Sequence, residues 1–209
     1  MNILRTWVTA VAVFGCAGVA NSAPLFQGRL AQGMASATCT VSGTDKCAMF
    51  YNTTLDITIL NDWNIGFGFW SASAVEGSAQ ALAESAGAAQ TGFTGWFLPT
   101  GAGNSVVGAL NQYQSLWNDV GASFAGLEAQ FDGVQNATYW SSSEIPDVTQ
   151  AWNFDTLAGK GGAPQANRLF AVAVRPGDVA ASVPEPQTLA LTLFALGAVV
   201  VARRRRPNS

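Results

Sequence analysis

Leu169-Phe170-Ala171-Val172-Ala173-Val174, with Arg168 before it and Arg175 after it, is an uncharged apolar run of strand length. Its β-branched and aromatic members suit a central strand covered on both faces. It ends a series of three strand-like pieces, the others being Thr138 to Ser142 and Ala151 to Asp155. Two helical stretches precede the series. Helices followed by late strands predict an α+β fold, a single domain with two helices packed against an antiparallel sheet.

Working back from that run, Met49 to Leu60 alternates Tyr51, Leu55, Ile57 and Ile59 with Asp56 and Thr58. The break at Asn52-Thr53-Thr54 divides it into strands. Ile65 to Trp70 interleaves large apolar residues with glycine, which lets backbone or rings pack closely. Ser71 to Gln90 is alanine-rich and reads as a helix broken at Gly77 and ended near Gly87. A second helix is expected from a cap at Asn104 or Ser105, with Val106, Leu110, Tyr113, Trp117 and Val120 on one face. Phe124, Leu127 and Phe131 fill the loop that follows, and Gly159 to Gly162 around Lys160 reads as a flexible turn.

Met1 to Ala23 has the form of a secretory signal peptide, with Arg5 in the n-region, an apolar stretch from Trp7 to Ala20, and small residues at Asn21-Ser22-Ala23. Cuts after Ala23 and after Ser22 fit equally well. Residues 24–48 form an extended or loop-rich lead-in. Cys39 and Cys47 are the only cysteines outside the signal peptide. In an exported chain they most simply pair across Gly43, the alternative being two free thiols. The chain has no histidine, so neither a Ser-His-Asp nor a Cys-His catalytic arrangement can form.

At the other end, Val183-Pro184-Glu185-Pro186 precedes an apolar run over 189–202 and the block Arg203, Arg204, Arg205 and Arg206. The run spans about 21 Å as a helix against a hydrocarbon core of about 30 Å. The arginines stop it at the interface and keep the tail 203–209 cytoplasmic. A transmembrane helix over 189–202 is therefore expected, after a linker over 180–188. The competing account is a buried C-terminal helix with a basic tail. Between the signal and the linker, five basic residues stand against twelve acids, a net charge near −7. Such a surface does not attract nucleic acid or anionic polysaccharide over long range.

The order of Pro-Glu-Pro motif, short run and arginine block resembles the PEP-CTERM sorting signal of Gram-negative bacteria. The resemblance implies Sec export, a transient inner-membrane anchor, and an exosortase partner that cuts near the motif. It also implies delivery to the cell surface or an extracellular, exopolysaccharide-rich matrix. A second resemblance rests on Tyr51, on Leu55-Asp56-Ile57-Thr58, on a helix start at Trp70 to Ala74, and on Gly92-Phe93-Thr94-Gly95-Trp96-Phe97-Leu98-Pro99-Thr100. It continues through Tyr139-Trp140-Ser141-Ser142-Ser143-Glu144, Ala151-Trp152-Asn153-Phe154 and Val174-Arg175-Pro176-Gly177-Asp178. Their order and spacing are similar to the Lcl C-terminal-type domain over 49–179. That family implies a C-type-lectin-like, formylglycine-generating-enzyme-like fold. Phe97 stands where the family commonly has arginine.

Six tryptophans in the exported part raise the prospect of a sugar-stacking platform. Trp117, Trp96 and Trp140 read as core. Trp63 beside Asp62 and Asn64, and Trp152 beside Asn153, are the candidates for exposure, with Glu144 as a nearby acid. Glu144, Asp147 and Asp155 could gather around calcium, although solvated surface acids are the simpler account. No cofactor is expected. Paired carboxylates among Asp56, Asp62, Glu144 and Asp155 would be needed for glycosidase chemistry. The function expected from all this is a non-enzymatic glycan- or protein-binding module. A carbohydrate-active enzyme and a matrix scaffold without ligand are the alternatives.

Overall fold

A computed structural model describes residues 25–32, 39–40, 46–102, 108, 110–146 and 149–179. The signal peptide, the linker, the apolar run 189–202, the arginine block, Asp147 and the expected caps Asn104 and Ser105 lie outside these residues. The fold is mixed α+β, with helices against two sheets. Strands β1 (Phe26–Arg29), β2 (Met49–Asn52), β3 (Ile57–Leu60) and β9 (Val174–Pro176) form one antiparallel sheet in that order. The second sheet runs β4 (Phe67–Gly68), β8 (Leu169–Phe170), β5 (Thr138–Glu144), β6 (Gln150–Asp155) and β7 (Gly159–Pro164). Its pairs are antiparallel except β5 with β8, which is parallel.

The opening run, expected as one strand, is shared by both sheets. Its first two residues form β8, its last begins β9, and Ala171 to Ala173 carry the chain across between the sheets. The alternation survives the crossing. Phe170, Val172 and Val174 face a core with Trp63, Phe131, Tyr139 and Phe154, whereas Leu169, Ala171 and Ala173 face another with Met49, Leu60, Trp96 and Trp140. Both faces are covered, as the unbroken apolar character required. The small alanines let the second core, under helix α1, approach closely.

Helix α1 (Ala79–Thr91) begins at Ser78, whose hydroxyl accepts from the Ala81 amide, and ends at Gly92 in the left-handed region. It therefore starts later and runs further than expected. Gly87 does not end it. A Cβ there would overlap the indole of Trp96, so this glycine is a packing residue inside the helix. Helix α2 (Gln112–Asp119) is capped by Asn111, whose side chain accepts from the Gln114 amide. The expected start at residue 104 or 105 is thus several residues too early, and Leu110 is exposed before the cap. The expected loop after it contains a third helix, α3 (Phe124–Gln130), capped by Ser123. Seven residues with one buried leucine leave little periodic signal to recognise.

The lead-in is also more ordered than its composition suggested. Phe26 to Arg29 pairs along β2, so the packed unit starts before Met49. Cys39 and Cys47 are bridged, with Cα atoms 4.9 Å apart, and a side chain at Gly28 would meet both sulfurs. Lys46 beside this bridge forms an ion pair with Asp132. Replacing both cysteines by serine is expected to cost about 2–3 kcal/mol, the loop-closure value for a ring this short. Urea denaturation of the two proteins measures it. No helix among the described residues is long and apolar enough to cross a membrane.

Candidate functional site

The β6–β7 hairpin carries the most suggestive surface. Asp155 closes its turn: one carboxylate oxygen accepts from the Leu157 and Ala158 amides, at 2.9 Å each, and the other from the Thr138 hydroxyl at 2.8 Å. Burial pushes this carboxyl up, but the three hydrogen bonds outweigh it and hold it below its ordinary value. Gly159, at φ 81°, completes the turn. The result lifts Leu157 into solvent, 68% exposed.

Behind the turn stands α2. Tyr113 stacks on Phe154 of β6 at 5.2 Å between ring centroids, and Trp117 meets the same ring edge-on at 5.4 Å. Tyr113 is fully inside, its hydroxyl donating to the Trp140 carbonyl at 3.0 Å. Burial pushes its phenol well above the ordinary tyrosine value. Trp117, near the end of the helix, is only half-buried. Its indole lines a shallow groove of about 340 Å³ with Gln114, Leu157, Ala158, Gly159 and Lys160. Trp152 lies two residues before Phe154 on the same face of β6, and it too is half-buried. Opposite it on β7 is Gly162, where a Cβ would overlap the Ile145 side chain. The groove thus offers the Trp117 indole with Lys160 and Gln114 as hydrogen-bond donors, and Trp152 lies two residues along β6 from the ring that Trp117 meets.

A larger hollow of about 600 Å³ lies along α1, lined by Ala74, Ala81, Ser85, Ala88 and Glu84 among others. Its one aromatic, Trp96, is 2% exposed, so it offers no ring to a ligand. A third is lined by half-buried Phe69, Trp70 and Gln165; the Trp70 indole is 8% exposed with its N–H spent on the Ser141 carbonyl, so Phe69 offers a ring there but no polar handle. Chemistry selects the groove at Trp117 over volume.

The expected site residues separate into two places. Trp63 is completely buried, stacked on Phe131 at 4.9 Å and edge-on to Tyr139 at 5.5 Å. Its polar neighbours misled: Asp62 turns to accept from the Asn64 amide at 2.9 Å, while the indole points inward. It is withdrawn as a ligand contact. Asn64 is exposed and Asp62 half-buried, where the chain leaves β3 and pairs with Asp132. Trp152, Asn153 and Glu144 belong to the other sheet. Asn153 is 8% exposed and faces away from Trp152, and Glu144 accepts from Gln165 at 2.9 Å. Trp96 and Trp140 are core, as expected. Trp117, expected in the core with them, packs against the core's edge and also lines the groove.

The carboxylates do not converge either. Asp155 pairs across from Thr138 at one end of β5 and Glu144 closes the other end, roughly 20 Å along the strand. That separation removes the calcium grouping of Glu144 with Asp155. It also exceeds the spacing a glycosidase pair requires, about 5–9.5 Å. Asp56 sits in the β2–β3 turn, held by the Tyr51 hydroxyl at 2.8 Å. Lys160 and Leu157 were missed because three glycines around Lys160 resemble a turn more than a strand.

Residues 182–206 match the PEP-CTERM protein-sorting motif. The chain is thus marked for exosortase-processed export to the cell surface. No curated protein matches the sequence.

Proposed function

We propose that the domain between signal and linker is a non-enzymatic binding module of the Lcl C-terminal, C-type-lectin-like kind. Once sorted, it grips a surface or matrix polysaccharide through the groove at Trp117. The observation that carries this is the half-buried Trp117 indole lining the groove beside Lys160 and Gln114, with half-buried Trp152 two residues along β6 from the ring that Trp117 meets. Indole faces stack on the apolar C–H patches of sugar rings, and flanking donors fix ring orientation through the hydroxyls. An open, shallow groove suits a polymer that passes across it. The arrangement needs neither cofactor nor general acid.

The buried fold-defining tryptophans agree with the Lcl-type reading. Phe97, in the place of that family's arginine, packs its half-buried ring against the core while its backbone bridges to Val174. On this reading the exosortase and the Sec machinery are partners in delivery, and the exopolysaccharide is the partner afterwards.

Retention of the purified domain on exopolysaccharide from the producing organism tests the proposal. Trp117→Ala and Trp152→Ala should each weaken retention about 5- to 100-fold, the range of one stacking or hot-spot contact. Asn64→Ala, on the other sheet, should leave it unchanged. Release of reducing sugar during the assay would point to a carbohydrate-active enzyme instead. Equal retention of all three variants would remove the groove from consideration.

A further inference from the structure

The last described residues, Gly177 to Val179, are pinned to the body of the domain. Arg29 donates twice to Asp178, from Nε to Oδ1 at 2.8 Å and from Nη2 to Oδ2 at 2.6 Å, with the two side chains 19% and 18% exposed. This is a fork-to-fork pair, the strongest geometry for such ions. Just before it, the Gly177 amide donates to the Asp56 carbonyl at 2.8 Å, and the Gly177 carbonyl accepts from the Thr58 hydroxyl at 2.7 Å. Just after it, Val179 is 3% exposed and packed into the core beneath α1. The clasp joins β1 to a residue 149 positions later, so it forms only when the domain has closed.

The sorting motif match begins at residue 182. Fully extended, the chain from Val179 to Pro184 reaches at most about 17 Å. A domain of this size has a radius of gyration of about 15 Å. A protease holds several residues extended on each side of the bond it cuts. With the exit clasped, the body of the domain competes for the space in which those residues must lie.

We propose that the Arg29–Asp178 clasp slows exosortase processing by keeping the segment ahead of the Pro184-Glu185-Pro186 motif too short to enter the protease freely. Transient opening of residues 177–179 lengthens it and allows the cut. The proposal rests on the reading that the exosortase cuts beside that motif.

Pulse-chase labelling of the full chain, in cells making its exosortase, reads the rate at which precursor becomes mature protein. Asp178→Asn weakens the clasp and should raise the rate roughly five- to tenfold. Inserting about twelve Gly/Ser residues after Val179 bypasses the clasp without touching the fold, and should raise it at least as much. Wild-type or slower conversion of the insertion variant overturns the proposal. Acceleration by the insertion but not by Asp178→Asn overturns the clasp as the restraint. Replacing Pro184, Glu185 and Pro186 by alanine should stop conversion. If that variant is still processed at the wild-type rate, the reading of the cut itself fails, independently of the clasp.

Discussion

Trp63→Ala is expected to destabilise the domain by about 3–5 kcal/mol, the cost of deleting a large aromatic from a close-packed core. The indole is completely buried, stacked on Phe131 and edge-on to Tyr139, and that pair also touches Phe50, Phe26 and Phe170. Loss of the ring leaves a cavity where two sheets meet, and the surrounding aromatics are too rigid to fill it. Trp63→Phe should cost much less. The indole N–H has no hydrogen-bond partner among the described residues, so phenylalanine keeps most of the packing and sheds an unpaired donor. Chemical denaturation of the three proteins gives the ordering. Equal stability of Trp63→Ala and wild type would contradict the burial. Any glycan retention lost in Trp63→Ala should track unfolding and be restored in Trp63→Phe.

Gly68→Ala should cost about 3 kcal/mol, at the upper end of overpacking. A Cβ at this position would lie 2.5 Å from the Gly77 carbonyl oxygen, and 2.7 Å from both the Ala79 nitrogen and the Ser78 carbonyl carbon. These are backbone atoms, fixed by the Ala79 amide bond to the Phe69 carbonyl and by the cap of α1 at Ser78. No rotamer change relieves the overlap. Any movement also strains the hydrogen bond from the Trp140 indole to the Gly68 carbonyl, 3.0 Å. A lowered thermal midpoint with weakened near-ultraviolet signal from tryptophan is the measurement. An unchanged midpoint would mean that β4 and the start of α1 are not in contact.

These two residues show what the chain made legible. Gly68 stood between large apolar residues, a pattern that announces close approach. The alternation through Met49–Leu60 and 169–174 announced strands with covered faces. Trp63 shows the limit. Asp, Trp and Asn in succession suggest a surface, yet the side chains of consecutive extended residues point opposite ways, and only the sheet decides which way is inward. The same ambiguity concealed the groove. Trp117 has the spacing of a core residue on α2, and its half-exposure depends on where the hairpin turn at Asp155 ends. Gly87 misled for a different reason: its helix-ending tendency, worth about 1 kcal/mol, is outweighed by the packing of Trp96 against it. Helix α3 and strand β7 were too short or too rich in glycine to declare themselves.

The crossing of Ala171 to Ala173 between the sheets bears on how the domain comes apart. Neither sheet can separate while that segment stays in place, because it carries an inner strand of one directly into an edge strand of the other. The Leu60 amide is bonded to the Ala173 carbonyl and the Ala171 amide to the Gly66 carbonyl, so the segment is tied on both sides. Partial opening of one sheet would strip the other of its neighbour. The two sheets are thus mechanically one cooperative unit, and the slowest-exchanging amides should be those along this crossing and the strands it joins. A protein destined for the outside of a cell gains from this: with the two sheets opening only together, their strands give proteases little to attack.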